Sequence, residues 1–255
     1  MKTSPETATE KKEILHHLLE VKNLKKFYGG KAVVNDLCFS IDESEVVGLL
    51  GANGAGKTTA FYMAIGLIHP DEGKVLFQGK DISRLPIHKR ALLGMGYLSQ
   101  EPSVFRQLTV EENILAILET LPLSRIEKEK RLQELLQELH LEHLRKKKAI
   151  ALSGGERRRL EITRALVRSP QLLLLDEPFA NIDPLAIQDV KKLIRLLKEK
   201  NISILITDHN AREIFSIVDR SYLMQNGEMM LSGSVEDLVQ NPEARRCYLG
   251  EDFSL

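Results

Sequence analysis

Tryptophan is absent from this 255-residue chain, and Phe and Tyr together with it make up only 5% of the residues. A core without large rings must rest on aliphatic side chains, and the hydrophobic share of 43% is ordinary for a globular protein. Cysteine is nearly missing too. Cys38 and Cys247 lie far apart in sequence, which argues against a disulfide framework and fits a reducing cytosol. Net charge is zero, with 36 Lys plus Arg against 36 Asp plus Glu, so no global field draws the chain toward nucleic acid or anionic lipid. No apolar run approaches the roughly 20 residues that a bilayer crossing needs. Met1 to Lys12 is rich in Thr, Glu and Lys and lacks the apolar stretch of a signal peptide. It reads as part of a disordered polar tail, residues 1–17. The chain therefore reads as soluble, with any membrane link made through a partner. Its length suits one large α/β domain or two small ones.

What is present starts with Gly51-Ala52-Asn53-Gly54-Ala55-Gly56-Lys57-Thr58, a match to G-x-x-x-x-G-K-[ST]. The motif needs a strand before it and a helix after it. Glu45 to Leu50 reads as a short buried strand, and Thr58 to Leu67 as a helix that stops near Gly66. Glycines let backbone N–H groups turn inward around a polyphosphate, and the helix N-terminus adds its positive dipole end. The pattern expects Lys57 on the β- and γ-phosphates and the Thr58 hydroxyl on Mg²⁺.

Periodicity places the rest coarsely. Val33 to Ile41 alternates apolar Leu37, Phe39 and Ile41 against Asp36, Cys38 and Ser40, as a half-buried strand does. Asp71-Glu72-Gly73 reads as a turn, Lys74 to Ile82 as a hairpin turning at Gln78-Gly79-Lys80, and Met95 to Ser99 as a strand. From Thr109 to about Ser169 the pattern is helical and charged, with Leu132, Leu135, Leu136 and Leu139 as one apolar stripe. Strand signals return at Leu172–Leu175 and Ile202–Ile206, apolar runs flanked by helices, as in a parallel sheet covered on both faces. Gly227 separates two last short strands, and a helix begins near Ser234. The fold class is thus α/β: a P-loop nucleotide-binding core interrupted by a helical insertion.

Further residues narrow the chemistry. Asp176 and Glu177 end the Leu172–Leu175 strand, where the first acid can hold a Mg²⁺ shell and the second can polarise a water. His209 follows Ile204-Leu205-Ile206-Thr207-Asp208, a strand end of the kind where parallel α/β sheets carry active residues. It can serve as a γ-phosphate donor or as a structural histidine. Gln100 closes another strand, and its amide can ligate Mg²⁺ or a water without adding charge. In Leu152-Ser153-Gly154-Gly155-Glu156, Ser153 and Glu156 have the spacing of a capping box. The same segment is a second helix N-terminus suited to phosphate. The capping box alone leaves the paired glycines unexplained.

Taken in order, the P-loop, Gln100, LSGGE, Asp176-Glu177, Asp183 and His209 resemble the ATPase subunit of ATP-binding cassette transporters, over about Leu18 to Leu255. The resemblance implies a RecA-like core with an N-terminal antiparallel β-subdomain and an inserted α-helical subdomain at about 101–168. These would form one ATPase domain, 18–250, followed by a tail, 251–255. It implies ATP and Mg²⁺ as cofactors. Tyr28 would stack on adenine or simply pack. Gly51, Asn53, Gly54, Ala55, Gly56, Lys57, Thr58 and Thr59 would hold the phosphates. Ser153, Gly154, Gly155 and Glu156 would come from a second copy of the chain, so that ATP bridges a homodimer. Thr58, Gln100 and Asp176 would serve the metal; Glu177 is the expected general base, assisted by His209.

Less general segments, among them Thr58 to Met63, Leu152 to Arg159, Leu205 to Asn210 and Tyr248 to Phe253, resemble the lipopolysaccharide-export branch of the family. That implies two transmembrane partner subunits, a location on the cytoplasmic face of the inner membrane, and contacts through Glu101 to Leu108, with Phe105 and Arg106, and through Asp183. Phe105 could equally anchor its loop to its own domain. The triple Arg157-Arg158-Arg159, where many members carry Gln, could be a solvated face with Glu161 pairing Arg157 at i,i+4. Two departures stand out: Ala52 in the P-loop, and Asn181 where small residues are usual. Importers of branched-chain amino acids have ATPases of similar size and remain an alternative. A soluble cassette acting on DNA or the translation machinery fits less well, given the single cassette and the neutral charge.

Overall fold

The computed structural model describes residues 17–180 and 182–254. The expected polar tail, apart from His17, and Asn181 lie outside the described residues. The elements are β1 (Leu19–Tyr28), β2 (Lys31–Ile41), β3 (Val46–Gly51), α1 (Lys57–Ile65), β4 (Glu72–Phe77), β5 (Lys80–Asp81), α2 (Ile87–Leu92), β6 (Met95–Leu98), α3 (Val110–Leu118), α4 (Arg125–Glu138), α5 (Gly154–Leu166), β7 (Leu172–Asp176), α6 (Pro184–Glu199), β8 (Ser203–Thr207), α7 (Ala211–Phe215), β9 (Arg220–Gln225), β10 (Glu228–Ser234) and α8 (Val235–Gln240). A short helical turn, Pro242–Ala244, and a π-turn, Arg245–Leu249, close the chain.

Two sheets form. One is antiparallel, in the order β2-β1-β4-β5; the other runs β10-β9-β3-β8-β7-β6, and all its neighbours except β9 and β10 pair in parallel. Strands of the larger sheet are apolar on both faces because both faces are covered. Val47, Leu49, Leu172, Leu174 and Leu205 enter the core shared with α1 and the antiparallel sheet. Their alternates Val46, Leu50, Leu173, Leu175, Ile204 and Ile206 enter the core shared with the helices on the other side. That period of two is the geometry of a pleated strand.

The helical side is set by local chemistry. Thr109 with Glu112, Ser124 with Glu127, and Ser153 with Glu156 form complete capping boxes that start α3, α4 and α5. The expected stripe of Leu132, Leu135, Leu136 and Leu139 is buried. One strand goes unread in the sequence, and one reading needs correction. The strand β1 has no clean alternation because its pairing with β2 and β4 is broken by register shifts around Lys22 to Lys26. Glu72 and Gly73 open β4 rather than making a turn, since Lys25 pairs with Glu72 past that irregularity.

The rear of α1 is held by Arg90, which is fully buried. Its guanidinium donates to the carbonyls of Met63 (2.8 Å), Ala64 (2.7 Å), Leu85 (2.8 Å) and Ser83 (3.2 Å). Met63 and Ala64 lie in the last turn of α1, so a cation caps the negative end of the helix that starts in the P-loop. Burial lowers the pKa of Arg90 to about 10. Arg90→Met should cost about 3 kcal/mol, because the freed carbonyls keep no buried donor. Thermal denaturation should then show a midpoint lower by roughly 6–12 °C, at the few degrees per kcal/mol usual for a domain of this size.

Candidate functional site

The register of the larger sheet brings four strand ends to one edge. Leu49 pairs with Thr207, Asp176 with Thr207, and Leu98 with Leu175. The loop after β3, Gln100 after β6, Asp176-Glu177 at the end of β7 and His209 after β8 therefore gather at the carboxyl edge, where open α/β sheets hold ligands.

Backbone geometry explains the glycines of the first loop. A Cβ on Gly51 would meet the Met224 carbonyl oxygen at 2.3 Å. Gly56, the N-cap of α1, has φ 97°, and a Cβ there would lie 2.7 Å from the Val33 carbonyl oxygen. The loop and the first turn of α1 make a cleft of about 200 Å³, lined by Val33, Asn53 to Thr59 and Glu177. Its floor is a helix N-terminus with free N–H groups, the arrangement that binds phosphate. Lys57 is buried, and its ammonium donates to the carbonyls of Gly51 (2.7 Å) and Ala52 (3.0 Å). Burial pushes the Lys57 pKa down, against the charges of Glu177, Asp208 and Asp176.

Of the acids, Glu177 lines the cleft. Asp176 is buried, and desolvation, then the Glu177 charge, pushes it up to about 6; Arg158 and the Tyr97 hydroxyl oppose that rise. Glu177 has φ 43°, a left-handed conformation that costs a non-glycine residue roughly 1–2 kcal/mol. Its N–H donates to the Thr207 carbonyl at 2.8 Å, which ties β7 to β8. The Gln100 amide donates to Glu177 Oε2 at 2.7 Å, and His209 Nδ1 stands 3.8 Å from the same oxygen and 3.4 Å from Asp208 Oδ1. The structure thus gathers Lys57, Gln100, Asp176, Glu177 and His209.

Sequence reading passed over three neighbours. Asp208 is buried and accepts N–H bonds from Phe179 (3.3 Å) and Asn210 (3.0 Å), which joins the segments after β7 and β8. Tyr97 faces Asp176 and Tyr62, which with burial holds its hydroxyl protonated. Tyr248 reaches the His209 carbonyl at 3.4 Å, and burial pushes its hydroxyl up to about 12. Only Asp208 had a signal in the sequence, as a third acid at a strand end.

Other expected residues stand apart from the cleft. Ser153 to Glu156 are not among its lining residues. Ser153 caps α5 and Glu156 returns a bond to the Ser153 N–H at 2.8 Å. A Cβ on Gly155 would meet Ala186 Cβ at 2.8 Å, so Gly155 is needed for the packing of α5 on α6. Gly154 has only an ordinary 3.6 Å contact to Ile182 and lies exposed. Asp183 caps α6 by accepting from Leu185 (3.1 Å) and Ala186 (3.0 Å). Tyr28 ends β1 with its ring 50% exposed and the Lys26 ammonium 5.6 Å from its centroid. Phe105 is also 50% exposed, and the cation over its ring, at 4.7 Å, is Arg164 rather than the adjacent Arg106. Asn113 bonds both the N–H and the carbonyl of Phe105, so its backbone is anchored while its ring is presented. The expected Arg157–Glu161 pair does not form. Arg158 is the buried member, and it bonds Glu161 at 3.0 Å across i,i+3 because that face of α5 turns toward the sheet.

The donors suit a hard divalent cation: the Thr58 hydroxyl, the Gln100 amide oxygen and a desolvated Asp176 carboxylate. Among the described residues no cluster of three or more His, Cys, Asp or Glu forms an all-protein metal cage. A small cation here would share its shell with phosphate oxygens and water, as Mg²⁺ commonly does.

Residues 34–180 match the ABC transporter family. The chain is 51% identical over 241 residues, 94% of its length and all of the relative, to the lipopolysaccharide export system ATP-binding protein LptB of Acidithiobacillus ferridurans. It is 47% identical to the protein of the same name from Escherichia coli K12, over 93% of this chain and 99% of that one. A crystal structure of the ADP conformation of an ATP-binding cassette of an ABC transporter superposes with a TM-score of 0.83 at 29% identity, covering 92% of this chain and 99% of that one.

Asp176 gives a signed pH test on the ligand-free chain. Its pKa is raised on folding, to about 6, so it favours the fold while protonated and loses that contribution as pH rises through 6. Asp176→Asn should therefore raise the thermal midpoint at pH 7.5, by a stability of about 3 kcal/mol; about half of that gain should remain at pH 5, and it should vanish only below the ordinary carboxyl pKa of 3.8. An unchanged midpoint at both pH values would remove the charge argument.

Proposed function

The chain belongs to the ABC transporter family as an ATP-hydrolysing subunit, and from that membership we propose that it powers lipopolysaccharide export from the inner membrane. Identity of about half over nearly the full length of two lipopolysaccharide-export ATPases supports the cargo. The carrying observation for the chemistry is the cluster at Glu177: its Oε2 meets Gln100 at 2.7 Å and His209 at 3.8 Å, opposite Lys57 across the loop cleft.

In this reading ATP lies with its phosphates on Gly51 to Thr59. Lys57 leaves its two loop carbonyls to meet the β- and γ-phosphates, and the first turn of α1 supplies N–H donors. Mg²⁺, held by Thr58, Asp176 and Gln100, would neutralise phosphate charge. Glu177 takes the proton of the attacking water, Gln100 orients that carboxylate, and His209 donates toward the γ-phosphate. The signature Ser153-Gly154-Gly155 comes from a second copy, which accounts for its absence from the cleft lining of its own chain. Exposed Gly154, with no Cβ, lets phosphate approach the N-terminus of α5. ATP then bridges two subunits, and hydrolysis releases them, a population shift driven by a ligand. Tyr28 presents a half-exposed ring that adenine could stack on, beside the Lys26 ammonium.

None of the helices among the described residues is long and apolar enough to span a membrane. We assign the membrane link to two transmembrane subunits, docked on the cytoplasmic face. A recess lined among others by Ile87, Ala91, Tyr97, Ser103, Ile117 and Arg164, the cation over the Phe105 ring, has a volume of about 270 Å³. Half-exposed Phe105 on an anchored backbone suits it as a contact residue.

Glu177→Gln should keep ATP binding and lose about 10²–10⁴ in steady-state hydrolysis, the range for a general base. Full hydrolysis in that variant would remove Glu177 from the role. Lys57→Ala should weaken nucleotide binding itself, measured by titration with a fluorescent ATP analogue. Affinity purification of the native chain should bring down lipopolysaccharide-export membrane subunits. Recovery of amino-acid permeases would overturn the cargo. Phe105→Ala should release the membrane subunits with the thermal midpoint unchanged.

A further inference from the structure

Two charged side chains on α5 are buried where the reading above gives them no task. Arg158 is 6% and Glu161 4% exposed. A buried ion pair is a poor stabiliser, since apolar residues of similar volume often hold a fold as well or better. The contacts of this pair indicate another use.

Arg158 Nη1 donates to Glu161 Oε2 at 3.0 Å and to the Ser99 carbonyl at 3.0 Å, while Nη2 donates to the Asp176 carbonyl at 3.3 Å. Ser99 precedes Gln100, and Asp176 precedes Glu177. One planar guanidinium therefore grips the two peptides next to the residues whose side chains meet at 2.7 Å. The other Glu161 oxygen, Oε1, accepts the Ser103 N–H at 3.1 Å. Arg164, farther along α5, donates to the Ser103 carbonyl and covers the Phe105 ring. Both polar groups of the Ser103 peptide unit are thus bound to α5, two residues from the exposed aromatic.

We propose that the buried Arg158–Glu161 pair is a positioning device that sets the spacing between Gln100 and Glu177 and ties it to the 103–105 segment. The inference rests on the assignment of Glu177 above. A rigid fork suits the task because its donors are fixed in one plane, which a lysine ammonium cannot copy. Displacement of Phe105 would pull Ser103, and through Glu161 and Arg158 the strain would reach the carbonyls that aim Gln100 and Glu177. A misplacement of that kind changes rate more than affinity.

The test is a double-mutant cycle on the purified full chain, with kcat, ATP KM and the thermal midpoint read for Arg158→Gln, Glu161→Gln, the double variant and Arg158→Lys. Each single Gln variant should lose both stability and kcat, because one charge is left buried and unpaired. The double variant should regain a midpoint within about 3 °C of the parent, yet keep a kcat ten- to a hundredfold down, roughly the cost of a 1 Å misplacement. ATP KM should stay within about twofold, because the loss falls on the chemical step. Recovery of kcat together with the midpoint would make the pair structural only and overturn the proposal. If the double variant does not fold, Arg158→Lys decides: a folded lysine variant with parental kcat also overturns it. The parent is assayed alongside. A parent without ATPase activity would sink the underlying assignment, whereas an active parent with a fully active double variant would sink only this one.

Discussion

The carboxyl edge of the larger sheet collects more negative charge than it balances. Asp176, Glu177 and Asp208 all act on Lys57, the cation of the loop cleft, and Arg158 reaches Asp176 from behind. At a few ångströms each like-charge contact costs a few kcal/mol in the partly desolvated interior of a protein. The chain tolerates the imbalance because its strands leave no choice: parallel pairing in register delivers every strand end to the same place. In the proposed reading a divalent cation would offset that surplus and let a polyphosphate lie beside it. The raised pKa of Asp176 comes first from its burial at this edge and then from the neighbouring Glu177 charge.

The sheet also separates two mechanical tasks. On one face α1 and the antiparallel sheet form the core that supports the phosphate loop, with Arg90 fastening the far end of α1. On the other face α3 to α6 share a core with the same strands. Helix α5 connects them: its N-terminus carries the capped Ser153, its middle reaches the ends of β6 and β7 through Arg158, and its last turns hold Ser103 and Phe105. Events at the exposed aromatic and at the acids are thus linked through one short rigid element.

Much of this was legible in the sequence. Period-two alternation located β2, and apolar runs located β3, β7 and β8, because burial on both faces leaves an unbroken apolar stretch. The positions of the P-loop and the two acids were legible from motif and strand end, whereas the strand end before His209 left its role open between a phosphate donor and a structural histidine. What failed depended on phase or on distant partners. Glu161 pairs with Arg158 and not Arg157, since a single residue turns a helix by about 100° and decides which side chain meets the sheet. The broken register hid β1. Arg164 over Phe105 lies 59 residues away in sequence, and no local pattern signals it.

The two glycines of the signature are unequal in a way their adjacency conceals. Gly155 answers to Ala186 inside the same chain, while Gly154 faces outward with room for a side chain. Inheritance should therefore treat them as separate characters. Drift at position 155 is confined by whatever occupies 186, so the two can change only as a covarying couple within one gene. At 154 the chain's own fold sets no such steric limit, and in the proposed dimer the limit would come from the phosphate held by the other copy.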